Sequence, residues 1–424
     1  MGGAKRGDVP DGHCSEQSPA VELSTSHQDD RVQASGDEAG TAPGDRKFRP
    51  DIEGLRAWAI LLVVLFHADV PGMTGGYVGV DVFFVLSGFV ITGLLLRERI
   101  SSGKNKVGGF YGRRSRRILP AATVVLILTV LASYHWLGFL TGNATAKDAR
   151  AATLFFANFQ FIHQGTNYLA SQTPPSPLQN FWSLAVEEQF YLVFPSLFIA
   201  SAVLLKKRSL EAKLVTILSV IVCASLVWSI HQTSVNSTVA FFSPFTRAWE
   251  LALGALVALF STRIARMPTL AAVVMSWVGL VGILVAAFAY SPSTAYPGSA
   301  ALLPVISTVM VIAAGRVNPV RGAEVILRFR PFQWLGRISY SLYLWHWPIL
   351  VIAAEYAGHS LSVSDNLLWL VLALALSIGS YKLLENPIRH FGILVRSASL
   401  SMLTGITLIV LSVGIATIEI AQHS

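Results

Sequence analysis

The stretch RPDIEGLRAWAILLVVLFH, from Arg49 to His67, puts a guanidinium and an imidazole on one apolar segment. Arg56 and His67 are eleven positions apart, about three helical turns, so on a helix both lie on nearly one face and roughly 16 Å apart. The helix thus carries a cation near one surface and an imidazole well inside. An imidazole there is equipped to act as general base or nucleophile. The plainer reading is a packed histidine bonded to a backbone carbonyl, and the spacing alone leaves both open.

Other polar clusters recur at the ends of apolar runs. FYGRRSRRILP holds Arg113, Arg114, Arg116 and Arg117. Residues three apart are neighbours on a helix face, so Arg114 with Arg117 makes a fork for phosphate oxygens; Arg113 with Arg116 is a second register of equal spacing. Cations flanking a membrane span for topology explain the same residues. NFWSLAVEEQFY sets Glu187 and Glu188 at the mouth of a span, where a carboxylate in low dielectric is suited to acid or base work, or where one of the two is solvated and the other meets a buried cation. Arg247 and Glu250 in SPFTRAWELALG have the spacing of a structural ion pair. WLGRISYSLYLWHWP brings His346 close to Tyr340 and Tyr343, and Asp81 is a further acid in an apolar run.

Positioning these groups requires a particular kind of chain. Hydrophobic residues make up 53% and charged ones 13%, with a mean hydropathy of +0.55, which is too apolar for a water-soluble surface. The formal charge of +8 falls in clusters at the ends of apolar runs, so it reads as membrane sidedness and not as nucleic-acid binding. Cys14 and Cys223 suggest neither a disulfide framework nor a thiolate metal site. The expected fold is an all-α polytopic membrane protein of about ten core transmembrane helices plus an eleventh, with a re-entrant or interfacial segment near 146–165. Residues 1–47, polar and poor in large apolar side chains, read as a disordered cytoplasmic tail; 48–391 read as the membrane domain and 392–424 as an additional helix with a short extracytoplasmic end.

In these blocks the chain resembles the acyltransferase-3 family of integral membrane O-acyltransferases. Arg56 and His67 match its arginine, ten residues, histidine pattern, and GVDVFFVLSGFVIT, FYGRRSRRILP, FWSLAVEEQFYLVFP, ISYSLYLWHWP and LLENP match its other blocks in order. The resemblance implies transfer of an acyl group, acetyl by default, from cytosolic acyl-CoA to a hydroxyl of a cell-envelope glycan or glycolipid in a bacterial plasma membrane. It implies catalytic roles for His67, Arg56 and Glu187, with Glu187 rather than Glu188 as the family acid. Acyl-CoA phosphates are expected at Arg114, Arg117 and Arg113. The acceptor side is expected to include Trp182, Ser183, Tyr191, Tyr343 and His346, with Glu187 and Trp182 at the outer end. No metal is implied, since His67 and His346 belong to separate spans and no ligand spacing occurs. Many relatives continue into an SGNH-type esterase-like domain, so a separate protein of that type is a partner the resemblance allows. The rival class is a proton-coupled transporter or a lipid flippase without acyl chemistry; carriers often show an internal repeat, and none is found.

Overall fold

The computed structural model describes residues 1–2, 49–103, 105, 107–169, 174–203, 209–317, 319 and 321–423. The expected tail over 1–47 lies outside these except for Met1 and Gly2. The chain divides into Met1–Lys47 and Phe48–Ser424, and the helices and cavities described belong to the second unit.

Every regular element among the described residues is helical, the form that satisfies all backbone hydrogen bonds within one segment where water is absent. In chain order they are α1 (Pro50–His67), α2 (Gly79–Ser102), α3 (Val107–Ala132), a π-helical turn (Ser133–Leu137), α4 (Gly138–Thr153), α5 (Ala157–His163), α6 (Phe181–Val203), α7 (Leu210–Val235), α8 (Ser237–Phe242) and α9 (Pro244–Leu259). There follow α10 (Ser261–Ile264), α11 (Thr269–Ala289), α12 (Leu302–Val317), α13 (Glu324–Leu327), α14 (Arg330–Ala357), α15 (Val363–Ser380), α16 (Asn386–His390), α17 (Gly392–Arg396) and α18 (Ala398–Gln422). Pro50 opens α1 with its φ already helical, and Asp51 and Glu53 in the first turn complement the helix dipole. Ser209, Ser243, Ser362 and Ser397 accept backbone N–H bonds as N-caps of α7, α9, α15 and α18.

Among the described residues six helical stretches are long and apolar enough to cross a membrane: Gly76–Ser102, Val107–Thr153, Leu210–Val235, Thr269–Ala289, Val363–His390 and Ala398–Gln422. The expected count of about eleven is larger. α1, α6, α9 and α14 fall outside this set, and each holds ionisable side chains buried or half-buried in the protein, which lower its mean hydropathy. α9 is also short, at 16 residues, and α12, apolar and of the same length, falls outside the set as well.

Three crossings position the site. α1 packs against α14, bringing Arg56 and His67 to the helix that carries Ser339, Tyr343 and His346. α2 packs against α9 through reciprocal glycines: a Cβ on Gly88 would stand 1.8 Å from the Leu251 carbonyl oxygen, and one on Gly254 2.0 Å from that of Val85. Small residues at such a crossing let backbones approach where no hydrophobic drive separates helix from lipid. α3 packs against α18, where Arg116 donates to Ser401 Oγ at 2.6 Å and to the Leu394 carbonyl.

The segment expected to be re-entrant is helical. Beyond the π-turn the chain breaks at Gly138 (φ 84°, ψ 176°), and α4 folds back so that the Tyr134 ring covers Gly142 while its hydroxyl donates to Asn143 Oδ1 at 2.7 Å. Phe155, at φ 57°, then turns the chain between α4 and α5.

Candidate active site

His67 is the last residue of α1, and its two ring nitrogens have different partners. Nδ1 is 3.0 Å from His346 Nε2, and Nε2 is 2.8 Å from the Tyr168 hydroxyl. His346 is fully buried, and its Nδ1 is 2.9 Å from the Leu342 carbonyl oxygen, one turn back on α14. A carbonyl only accepts, so His346 Nδ1 carries a proton; with the ring neutral, its Nε2 is an acceptor and His67 Nδ1–H donates to it. The lone pair of His67 is thereby left on Nε2, where Tyr168 Oη donates. The network fixes both the tautomer of His67 and the nitrogen available as a base. Trp347 packs on the His67 ring with centroids 4.5 Å apart, close enough to favour a positive charge there.

His67 borders a cavity of about 840 Å³ whose other walls include Asp69, Tyr168, Trp347, Glu355, Tyr356 and Asn366. This vestibule has polar groups on several sides and room for a sugar-sized ligand.

At the other end of α1, Arg56 Nη2 donates to Ser339 Oγ at 2.9 Å, and Nη1 lies 3.3 Å from Glu53. A second, narrower cavity of about 210 Å³ opens there, walled by Arg56, Arg114, Arg117 and Arg389 with Glu53 and Glu187. Four guanidiniums against two carboxylates make its lining cationic. Arg114 pairs with Glu188, lies 3.7 Å from Glu187, and stacks its guanidinium 3.9 Å from the Tyr191 ring centroid. Ser87 Oγ donates to Glu187 at 2.8 Å. Arg117 makes no ion pair or hydrogen bond to another described residue, so its donors remain for a ligand. The deep end of this slot is closed by Ser183 and Tyr343, whose hydroxyls are 2.6 Å apart. Tyr343 in turn contacts His346 with centroids 5.5 Å apart. A chain of touching rings, Phe83, Tyr343, His346 and His67, therefore separates the cationic slot from the vestibule.

Several expectations change. Arg114 with Arg117 is the register that faces the slot; Arg113 is turned outward to Glu98 at 3.3 Å, and Arg116 is held by α18. Glu187 does not sit at the outer end apart from the arginines. It lies about two turns inside α6, and Arg114 about two turns inside α3, so the two meet at depth beside each other. Glu188, expected to be the lesser participant, makes the closer contact with Arg114. Trp182 borders neither cavity: fully buried, it packs edge-on to Tyr168 and against Phe241 and Phe242. Tyr191 lies at the arginine end rather than near the vestibule. His346, read as a second polar layer, touches His67 directly even though the two belong to different helices. Arg247 pairs with Glu250 at 3.2 Å as the spacing predicts, and the same guanidinium also meets Asp81 at 3.3 Å in a fully buried cluster.

A family profile described as an acyltransferase domain, the third of that name, matches residues 49–381. The chain belongs to the acyltransferase-3 family. Its relatives include a peptidoglycan O-acetyltransferase OatA of Listeria monocytogenes, 31% identical over 363 residues, which is 82% of this chain and 57% of that protein. A putative peptidoglycan O-acetyltransferase YrhL of Bacillus subtilis is 29% identical over 365 residues, covering 82% and 56%. The O-acetyltransferase OatA of Staphylococcus aureus is 28% identical over 357 residues, covering 82% and 58%. The chain thus spans a little over half the length of these curated relatives. No solved structure gives a significant match.

Within this member of the acyltransferase-3 family, three residues at the site escaped the sequence reading. Tyr168 sits in the turn after α5, where no periodicity marks it; the only signal was its place just beyond the segment that sidedness made anomalous. Arg389 stands in the short α16 of the LLENPIRH stretch and reaches the slot. Glu385, in the same stretch, accepts from buried Ser341 on α14. Among the described residues no cluster of three or more His, Cys, Asp or Glu side chains is arranged to hold a metal.

Proposed function

We propose that this chain is a membrane O-acyltransferase that moves an acetyl group from cytosolic acetyl-CoA to a hydroxyl of a cell-envelope glycan or glycolipid, with His67 as the base. The observation that carries this reading is one oriented histidine on the wall of a roomy polar vestibule, with its Nε2 bonded to Tyr168 of the same wall, and a cationic slot that ends at Tyr343, linked to His67 through the His346 ring. Coenzyme A is polyanionic, so Arg117, Arg114, Arg56 and Arg389 are suited to its phosphates as charge-assisted donors. The pantetheine arm runs along the slot towards Tyr343 and Ser183. Passage of the thioester beyond them requires the Tyr343 ring to swing aside, giving up its hydroxyl contacts with Ser183 and the Asn180 carbonyl and its ring contacts with Phe83 and His346.

In the chemical step the acceptor hydroxyl takes the place that Tyr168 Oη holds against Nε2. Its proton passes to His67 as its oxygen attacks the thioester carbonyl; the carbon–sulfur bond then breaks, and the coenzyme A sulfur takes the proton back from the imidazolium. His346 keeps Nδ1–H engaged throughout, and Trp347 favours the transient charge. Formation of an acyl-histidine at the same Nε2 is the variant in which the ring attacks first. The membrane arrangement that goes with this reading is about eleven spans in the bacterial cytoplasmic membrane, N-terminus inside and C-terminus outside. The names of the relatives support a glycan acceptor, and family membership weighs against a carrier or flippase. Purified protein in sealed proteoliposomes, given radiolabelled acetyl-CoA and envelope extract, is expected to release coenzyme A and label the acceptor; label uptake into the vesicles without coenzyme A release would favour a carrier.

A further inference from the structure

Beside the vestibule lies a third concavity, of about 690 Å³, bounded by the end of α3 with its π-turn, the middle of α14, and α15. Its walls are almost wholly apolar, with Leu131 on α3, Ile349 and Ile352 on α14, and Trp369 and Leu372 on α15. Leu131, Trp369 and Leu372 are exposed, as is usual for residues facing hydrocarbon. Two residues, Trp136 and Tyr356, line both this groove and the His67 vestibule, so the two concavities are continuous. From Trp345 to Tyr356 the groove follows α14 for about 16 Å, roughly half the ~30 Å hydrocarbon thickness of a bilayer. Its length is therefore that of one leaflet. The shared end carries Trp136 and Tyr356, amphipathic rings of the kind found at the level of lipid headgroups, and the polar groups Asp69, Glu355 and His359 lie just beyond it.

We infer that the acceptor is anchored by a hydrocarbon tail, which lies in this groove while its hydroxyl-bearing headgroup enters the vestibule sideways from the outer leaflet. The inference rests on the reading of the vestibule as the acceptor site and narrows the acceptor class from glycan or glycolipid to a saccharide carried on a lipid. Tail and headgroup are held by different walls: Leu131, Ile349 and Leu372 for the one, and Tyr168, Trp347 and Asn366 for the other. An ordinary bilayer lipid meets the same apolar wall, but it carries no saccharide for the polar groups of the vestibule, so the headgroup decides between the two.

The test uses the full chain in nanodiscs with two probes that carry the same diazirine in the tail, an alkyl glycoside and a phosphatidylglycerol. The glycoside is expected to label peptides covering 128–136 and 369–376 several-fold more than the phospholipid does, and Leu372→Trp or Leu131→Trp, which fill the groove, are expected to abolish that excess. Leu403→Trp, on the exposed face of α18, controls for a bulky residue in lipid and should leave it intact. In parallel, acetyl transfer from acetyl-CoA to the alkyl glycoside should show an apparent KM about tenfold higher in the groove variants than in the α18 variant, equivalent to about 1.4 kcal/mol. A tailed acceptor concentrates in the bilayer by partitioning alone, so the variants decide the matter and a preference for tails does not. Equal labelling by both probes, or groove variants that match the control, overturns the inference. Preferential labelling without any acyl transfer supports the groove as a glycolipid site and instead overturns the enzymatic reading.

Discussion

Replacing His346 tests the tautomer argument most sharply. His346→Ala removes the acceptor for His67 Nδ1–H, a bond of 3.0 Å between two neutral rings, for which a net value of about 1 kcal/mol is typical. That alone corresponds to roughly a fivefold loss of the reactive orientation, since about 1.4 kcal/mol is tenfold. A ring freed to rotate also loses alignment with the acceptor, and displacement of about 1 Å in such a site costs on the order of a hundredfold. We therefore expect kcat to fall about 10- to 100-fold, less than for loss of His67 itself. The KM for acetyl-CoA should stay within about twofold, because the arginines of the slot are untouched. His346→Gln keeps most of the volume and offers a carbonyl that accepts from Nδ1–H, so it should recover much of the rate. Initial rates of coenzyme A release over a range of acetyl-CoA concentrations give the split, with thermal unfolding in detergent as the check on folding. Unchanged kcat in the alanine variant, or a glutamine variant no better than alanine at equal stability, would refute the claim that His346 orients the base.

Two further predictions concern the slot and the frame. Arg117→Gln should weaken coenzyme A binding by about 1.5 to 3 kcal/mol, whereas Arg113→Gln, whose partner is Glu98 near the surface, should change it by less than about 0.5 kcal/mol; calorimetric titration separates them. Gly254→Ala puts a methyl 2.0 Å from the Val85 carbonyl oxygen and should lower stability by roughly 1 to 3 kcal/mol or prevent folding, while Gly414→Ala on α18, with nothing within 4 Å, should be neutral or mildly stabilising in the same thermal assay.

What was legible in the sequence was what one helix carries by itself. The Arg56 to His67 spacing needs only helical geometry, and both residues come out on α1 facing α14. Apolar patterning is likewise a property of a single segment, and the helical character expected from it is what α7 and α11 show. Contacts between helices were not legible. Nothing in periodicity says that α14 lays His346 against His67, or that Arg114 and Glu188 meet at depth, because loop sidedness fixes where a helix begins but not how far inside a side chain finds its partner. Tyr168 was least accessible of all, being held in a turn by Trp182, Phe241 and Phe242, three rings from other parts of the chain. The charge clusters did not disclose their neighbours: Glu187 is expected at the outer end, where its helix starts, yet about two turns of helix carry it beside Arg114.

The most direct measurement of the central claim is single-turnover acetyl transfer by His67→Ala, alongside wild type, in nanodiscs with coenzyme A binding measured on the same preparation. The variant should insert and bind coenzyme A with wild-type affinity, since His67 lies at the opposite end of α1 from the arginine-lined slot, while the rate of transfer falls by about 10²- to 10⁴-fold, the usual contribution of a positioned imidazole base. Transfer at the wild-type rate by a folded, coenzyme A-binding His67→Ala protein would contradict the account and move the chemistry away from the His67–His346–Tyr168 network.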